Sequence, residues 1–218
     1  MNLLAIDTST DTASVALAVQ GEIYTEEQSG MRQHAQFLLP MIERMLALAD
    51  LSCQQLDAIV FGRGPGSFTG LRIACSVAKG LAYAHDLPMY PVSGLAAIAN
   101  EAGLNQPVLA LMDARMHQVY WAYFDGDSGD VLEQVSNADA IYVPSDRPFT
   151  LAGIGFEPYL AQLPASINAQ ISQQCTIVPN AKTMIRMVEA GYIKPVSAEQ
   201  ALPVYVRNQV TQGGESRG

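Results

Sequence analysis

Ala58-Ile59-Val60-Phe61-Gly62-Arg63-Gly64-Pro65-Gly66-Ser67-Phe68-Thr69-Gly70-Leu71-Arg72 is the stretch whose reading decides the fold. An apolar run of strand length leads into four glycines and a proline, and a helical pattern from Leu71 to His85 follows. Glycine permits positive φ and close backbone approach, and proline fixes one φ. A helix launched from such a loop also points free N–H groups into the turn, which suits an anion. Two readings stand side by side: a phosphate cradle, and a tight strand-to-helix connection with Ser67 or Thr69 as N-cap. It is not a Walker A motif, because no Lys-Ser/Thr follows the last glycine.

The flanking chain supplies the rest of an α/β pattern. Leu3 to Ile6 is a continuous apolar run ending in the polar turn Asp7-Thr8-Ser9-Thr10, and reads as a buried strand. Ala13–Val19 and Glu22–Glu26 are two further strands with the tight turn Gln20-Gly21 between them. Connections this short make the three antiparallel neighbours. A helix over Gln33–Ala49 follows, with Pro40 expected to kink or shift it. After the opening stretch come a strand over Leu87–Val92 and a short helix to Glu101 capped by Ser93.

The second half repeats this order in degenerate form. Pro107–Asp113, His117–Phe124 and Asp130–Val135 read as three strands, with a turn at Asp125–Gly129. A short helical segment over Ala138–Val143 is followed by strands over Phe149–Ile154 and Cys175–Val178. Asn180 then caps a helix to Ala190. The expected organisation is an N-terminal lobe over 1–102 and a reduced C-terminal lobe over 103–210. The last part of that lobe is expected to pack back on lobe 1, and 211–218 to form a polar, Gly-rich tail.

Composition bounds the function. The 218 residues carry a formal net charge of −9 with only 12 Lys and Arg, which form no run. Phosphate contacts need clustered basic residues, so direct nucleic-acid binding by this chain alone is disfavoured and an RNA role needs a basic partner. Cys53, Cys75 and Cys175 are odd in number and widely spaced, which yields neither a disulfide framework nor a zinc site and fits a reducing compartment. The N-terminus lacks a basic segment and no apolar run reaches the ~18 residues of a membrane helix. The expectation is a cytoplasmic protein without membrane association.

Tandem β-β-β-α-β-α units resemble the two-lobed actin, Hsp70 and hexokinase (ASKHA) fold. Ile6-Asp7-Thr8-Ser9 together with Gly64-Pro65-Gly66-Ser67-Phe68-Thr69-Gly70-Leu71-Arg72 resembles the TsaB (YeaZ) family more closely. Asp113-Ala114-Arg115, Val119-Tyr120 and Pro203-Val204-Tyr205-Val206-Arg207 add to the likeness. The resemblance implies a role in forming N6-threonylcarbamoyladenosine in tRNAs that read codons beginning with A. It implies a non-catalytic platform beside TsaD, the paralogue that performs the transfer, and TsaE, an ATPase, with TsaC supplying the threonylcarbamoyl-adenylate. Contact with tRNA would then be indirect, through the complex.

The residues bear on that role. TsaD-type proteins hold a metal through a helical His-x-x-x-His pair, whose spacing puts two imidazoles on one face. Here His34, His85 and His117 are the only histidines, and no two are four apart. No metal ligands, catalytic residues or resident cofactor are therefore expected, with ATP or ADP only at the interface with the paralogue. Asp7, Thr8, Ser9, Gly64, Gly66, Ser67, Thr69, Gly70 and Arg72 form the loop that meets a nucleotide or a partner. The alternative for Asp7 is a turn cap. Asp113 and Arg115 read as a structural ion pair, and Tyr205 and Arg207 as structural.

Both long helices carry more apolar surface than one sheet face hides. Leu38, Ile42, Met45 and Leu46, with Ile73, Ala74, Val77, Ala78 and Leu81, form the expected partner interface. It would be a four-helix bundle with the paralogue, or a homodimer when the chain is alone. The competing readings are an ATP-dependent transferase or kinase using Asp7 and the glycine loop, and a protease acting on the paralogue.

Overall fold

A computed structural model describes residues 1–30, 33–126 and 131–207. The expectations for 211–218, for most of the turn at 125–129 and for the start of a strand at Asp130 lie outside the described residues. The first half folds as β1 (Leu3–Asp7), β2 (Thr12–Val19), β3 (Glu22–Ser29), α1 (His34–Leu48), β4 (Ala58–Gly64), α2 (Phe68–His85), β5 (Met89–Ser93) and α3 (Gly94–Ala102). The second contains β6 (Val108–Asp113), β7 (Val119–Phe124), β8 (Gln134–Ser136), β9 (Phe149–Ile154), α4 (Ala165–Gln170), β10 (Ile171–Thr176) and α5 (Ala181–Glu189), with short 3-10 turns at Ala138–Ala140 and Glu157–Gln162.

The duplication is visible in the sheets. The first has the order β3-β2-β1-β4-β5 and the second β10-β9-β6-β7-β8. In each, the first three strands are antiparallel neighbours, and the fourth and fifth join parallel on the other side of the first. This is the two-lobed mixed-sheet α/β fold that the element order predicts.

Strand alternation divides each sheet into two buried faces. Leu3, Ala5, Ala16 and Val60 from the first sheet and Ala110, Ala122 and Ala152 from the second face one shared core, filled by Leu95 and Ile98 of α3 and Met184 and Ile185 of α5. The helix that closes each half thus packs between the sheets, and the Ala181 N–H donates to Ser14 Oγ of β2 at 3.1 Å. Small residues on the inner strand faces let the helices approach closely. The outer face of the first sheet, Leu4, Ile6, Val15, Leu17, Ile59 and Phe61, is covered by α1 and α2. The outer face of the second is covered by Ile141, Tyr159 and Ile167 of short turns and α4.

Several bounds differ from the sequence reading. The last strand lies at Ile171–Thr176 rather than Cys175–Val178, and β8 is only three residues long. Helix α1 runs through Pro40 as one element. Helix α2 starts three residues earlier than Leu71, with Ser67 as N-cap accepting the Gly70 N–H at 3.3 Å. The predicted caps Ser93 and Asn180 each accept an N–H from the first turn of their helix, at 3.1 and 2.9 Å. Among the described residues no helix is long and apolar enough to cross a membrane.

Candidate functional site

The turn after β1 and the loop after β4 lie on parallel neighbouring strands, so they meet at one end of the sheet. They interlock. Thr8 Oγ1 donates to the Gly70 carbonyl at 2.7 Å, and the Ser67 N–H donates to the Ser9 carbonyl at 2.7 Å. A Cβ on Gly66 would collide with the Ser9 carbonyl oxygen, and one on Gly70 with that of Thr8. The glycines at these two positions are therefore required by turn-on-turn contact. Gly64 lies against Leu71 and the Val204 carbonyl, while Thr69 is exposed.

Asp7 is sealed beneath this junction. Its carboxylate accepts the Ser9 N–H at 2.9 Å and the Ser9 hydroxyl at 2.7 Å, and the residue is 1% exposed. Burial pushes its carboxyl up to about 6, against the partial offset of the two Ser9 hydrogen bonds. The ASKHA fold implies a nucleotide whose phosphates and metal are gripped by such turns. These residues do not fit that group: the carboxylate is occupied by Ser9, the Ser67 N–H is spent on a carbonyl, and the glycines already hold backbone. The turn-cap reading of Asp7 fits the geometry.

Between the lobes opens a cleft of about 940 Å³, walled by Ser9–Thr12, Pro65–Thr69, Met112–Met116, Tyr120, Gly155 and Val204–Arg207. Its second-lobe rim is a loop in which Arg115, Met116 and His117 have φ of 60°, 54° and 60°. Three successive non-glycine residues in the left-handed region are strained and need external support. Arg207 supplies it, donating to the Ala114 carbonyl at 2.7 Å and to Gln118 Oε1 at 3.2 Å.

Asp113 and Arg115 do not form the expected ion pair. Asp113 Oδ1 accepts the Arg115 backbone N–H at 2.8 Å and the Tyr159 hydroxyl at 2.7 Å, and both side chains are otherwise exposed. Burial and Asp113 together push the Tyr159 hydroxyl up to about 12. The ion pair that does cross the lobes went unseen in the sequence: Arg63 meets Glu133 through two bonds of 2.9 and 3.1 Å. Arg72 donates to the Tyr205 hydroxyl at 3.1 Å and its guanidinium lies 3.7 Å from the Phe68 ring centre.

The outward face of α1 and α2 differs from the sequence expectation. Leu38, Ile42, Met45, Leu46, Ala74 and Ala78 are buried against the first sheet, whose outer face α1 and α2 cover together with Leu56, Ala198 and Ala201. They belong to the core, and of the six Leu38 alone lines the floor of the groove between the two helices. Ile73, Val77 and Leu81 are half-buried and do reach the surface. With Ala35, Leu39, Phe68 and the Arg72 stem, Ile73 and Val77 line an apolar groove of about 420 Å³ between the two helices. Leu39 is 50% exposed and Phe68 54%. Sequence reasoning missed both: Leu39 stands one residue from the buried stripe, and Phe68 sits inside what reads as loop. Among the described residues no group of three His, Cys, Asp or Glu side chains converges as a metal site. His34 is buried at the start of α1, with Nε2 3.2 Å from the Asp11 carbonyl.

Two like-ordered mixed sheets, helices shared between them and a cleft at the turns define a two-lobed ASKHA-type protein. Residues 24–202 match the family described as "TsaD: tRNA N6-adenosine threonylcarbamoyltransferase". The chain is 36% identical to the tRNA threonylcarbamoyladenosine biosynthesis protein TsaB of Haemophilus influenzae, over 97% of this chain and 95% of that one. It is 34% identical to the protein of the same name from Escherichia coli, over 96% of each. The solved structure of YeaZ from Pseudomonas aeruginosa superimposes with a TM-score of 0.82 at 37% identity, covering 94% of this chain and 99% of that one. The chain belongs to the TsaB (YeaZ) family.

Proposed function

We propose that this chain is a non-catalytic scaffold and activator in tRNA threonylcarbamoyladenosine biosynthesis, the process named for its TsaB relatives. It acts by docking the transferase TsaD, and with it the ATPase TsaE, in the modification of tRNAs that read ANN codons. The observation that carries this reading is the exposed apolar groove between α1 and α2, with Leu39, Phe68, Ile73 and Val77 on its walls. Surface of this kind on a water-soluble chain marks a protein partner. The match to a TsaD family supports a partner of related fold, which can present an equivalent helix pair. In the absence of that partner the same groove closes a two-fold homodimer.

The closed turn around Asp7 supports a chain with no nucleotide of its own, ATP or ADP entering only where the partner completes the site. The charge of −9 supports tRNA contact through partners, in the cytoplasm. The test is reconstitution of tRNA modification from purified TsaC, TsaD and TsaE with and without this chain, read by mass spectrometry of the nucleosides. Modification is expected only when the chain is present. Equal modification without it overturns the scaffold reading, and turnover of Mg-ATP by the isolated chain overturns the non-catalytic one.

A further inference from the structure

The groove and the cleft share one wall. Phe68 and Thr69 line both. From that wall a continuous series of contacts leads into the second lobe. The Arg72 guanidinium stacks on Phe68 at 3.7 Å and donates to the Tyr205 hydroxyl at 3.1 Å. Tyr205 itself lies 5.2 Å from Phe68, ring centre to ring centre. The adjoining Val204 N–H is fixed to the Arg63 carbonyl at 2.7 Å, so this part of the chain is tied to the end of β4. Two residues beyond Tyr205, Arg207 holds the loop whose three left-handed residues form the far rim of the cleft. Within the loop the Ala114 N–H donates to the Gln118 carbonyl at 2.9 Å, the Gln118 N–H to the Arg115 carbonyl at 3.1 Å, and the Arg115 N–H to Asp113 Oδ1 at 2.8 Å, while the bonds from Arg207 come from outside it.

From this geometry we infer that residues 203–207 are a relay that makes the shape of the 114–118 loop respond to what docks beside Phe68 and Arg72. The inference rests on the docking face proposed above for the identity of the occupant. The physical reason is that a strained turn keeps its conformation only while its surroundings over-determine it. Its principal external support, Arg207, hangs from a segment whose other anchors are Arg72 and Arg63. A partner that immobilises Phe68 and Arg72 stiffens that segment. By reciprocity, loosening the loop weakens the docking by the same factor.

Hydrogen exchange of the Ala114 and Gln118 amides in the full chain, followed by NMR, tests this. Arg207→Met keeps the stem and removes the donors, and should speed exchange at both amides by about tenfold. Arg72→Ala, an exposed residue in the other lobe, should speed the same two amides, while Tyr83→Ala, exposed farther along α2, should leave them unchanged. An Arg72→Ala loop that exchanges at the wild-type rate overturns the relay, as does an equal acceleration by Tyr83→Ala. With TsaD added, exchange at the loop should slow in the wild type and not in Arg207→Met. Binding of TsaD without any change at the loop overturns the relay and leaves the docking face standing. Failure of TsaD to bind the wild type overturns the docking face, and the isolated-chain comparison then decides the relay alone.

Discussion

At the scale of single residues, Asp7 and the glycines have exchanged the role they suggest in sequence. Glycine-rich turns and an aspartate at a strand end are what a phosphate site needs, and they are also what two interlocking turns need. Sequence distinguishes these poorly because the atoms that exclude a Cβ at Gly66 and Gly70, the carbonyls of Ser9 and Thr8, lie in a distant turn. Gly70→Ala, a change that ordinarily favours a helix, should therefore destabilise the fold by about 2–4 kcal/mol. Gly80→Ala, in the same helix with nothing within 4 Å, should stabilise by about 0.5–1 kcal/mol. Urea denaturation of both variants checks the pair, and equal effects would refute the interlock. The Asp7 carboxyl, raised from 3.8 to about 6, gives a second check. A raised carboxyl favours the protonated folded state, so its contribution is complete below the unfolded value and is lost as pH rises through 6. The stability of Asp7→Asn relative to wild type should accordingly rise by about 2–3 kcal/mol between about pH 4 and about pH 7.5. A pH-independent difference would contradict the burial account.

At the scale of elements, strands were the most legible part of the chain. The apolar runs ending in Asp7 and Asp113 and the run Phe149–Ile154 mark three central strands, because a strand buried on both faces needs continuous apolar sequence. Helices α1 and α2 were legible as helices but not in orientation. Each has apolar residues around more than half its circumference, so periodicity alone leaves two candidate inward faces. The structure turns the Leu38, Ile42 and Ala74, Ala78 side inward and leaves Leu39, Ile73 and Val77 outward. The turns and α4 over 157–170 carried no signal, since segments of six residues are too short for a period to show. Charge placed on the two helix faces should give opposite phenotypes. Val77→Asp should leave the melting temperature within a few degrees and abolish association with TsaD, measured by calorimetry. Ile42→Asp puts a charge on a residue 3% exposed and should unfold the chain instead, with a loss of several kcal/mol. A folded Ile42→Asp protein that merely fails to bind would return Ile42 to the interface.

At the scale of the whole molecule, the two lobes are held by more than the connection between them. α3 and α5 sit in one core that both sheets share, so neither half buries its inner face alone. Arg63 and Glu133 add a cross-lobe fork whose side chains are 26% and 7% exposed. None of this was legible in sequence, because partners separated by 70 positions leave no local pattern. The pair is bidentate and largely shielded, so removing one member strands a charge that has lost its water. Glu133→Ala should cost about 1–3 kcal/mol of stability. Arg63→Met combined with Glu133→Leu should recover much of that loss, since neither charge then remains unpaired. The double-mutant cycle, read from urea midpoints at constant slope, should return a coupling of about 1 kcal/mol or more. Because the fork joins the two lobes, the single variants should also raise the scattering radius of the isolated chain where the paired variant does not. A cycle that closes additively, with every variant of wild-type dimensions, would leave the shared α3–α5 core and the contacts of residues 203–207 to fix the lobes.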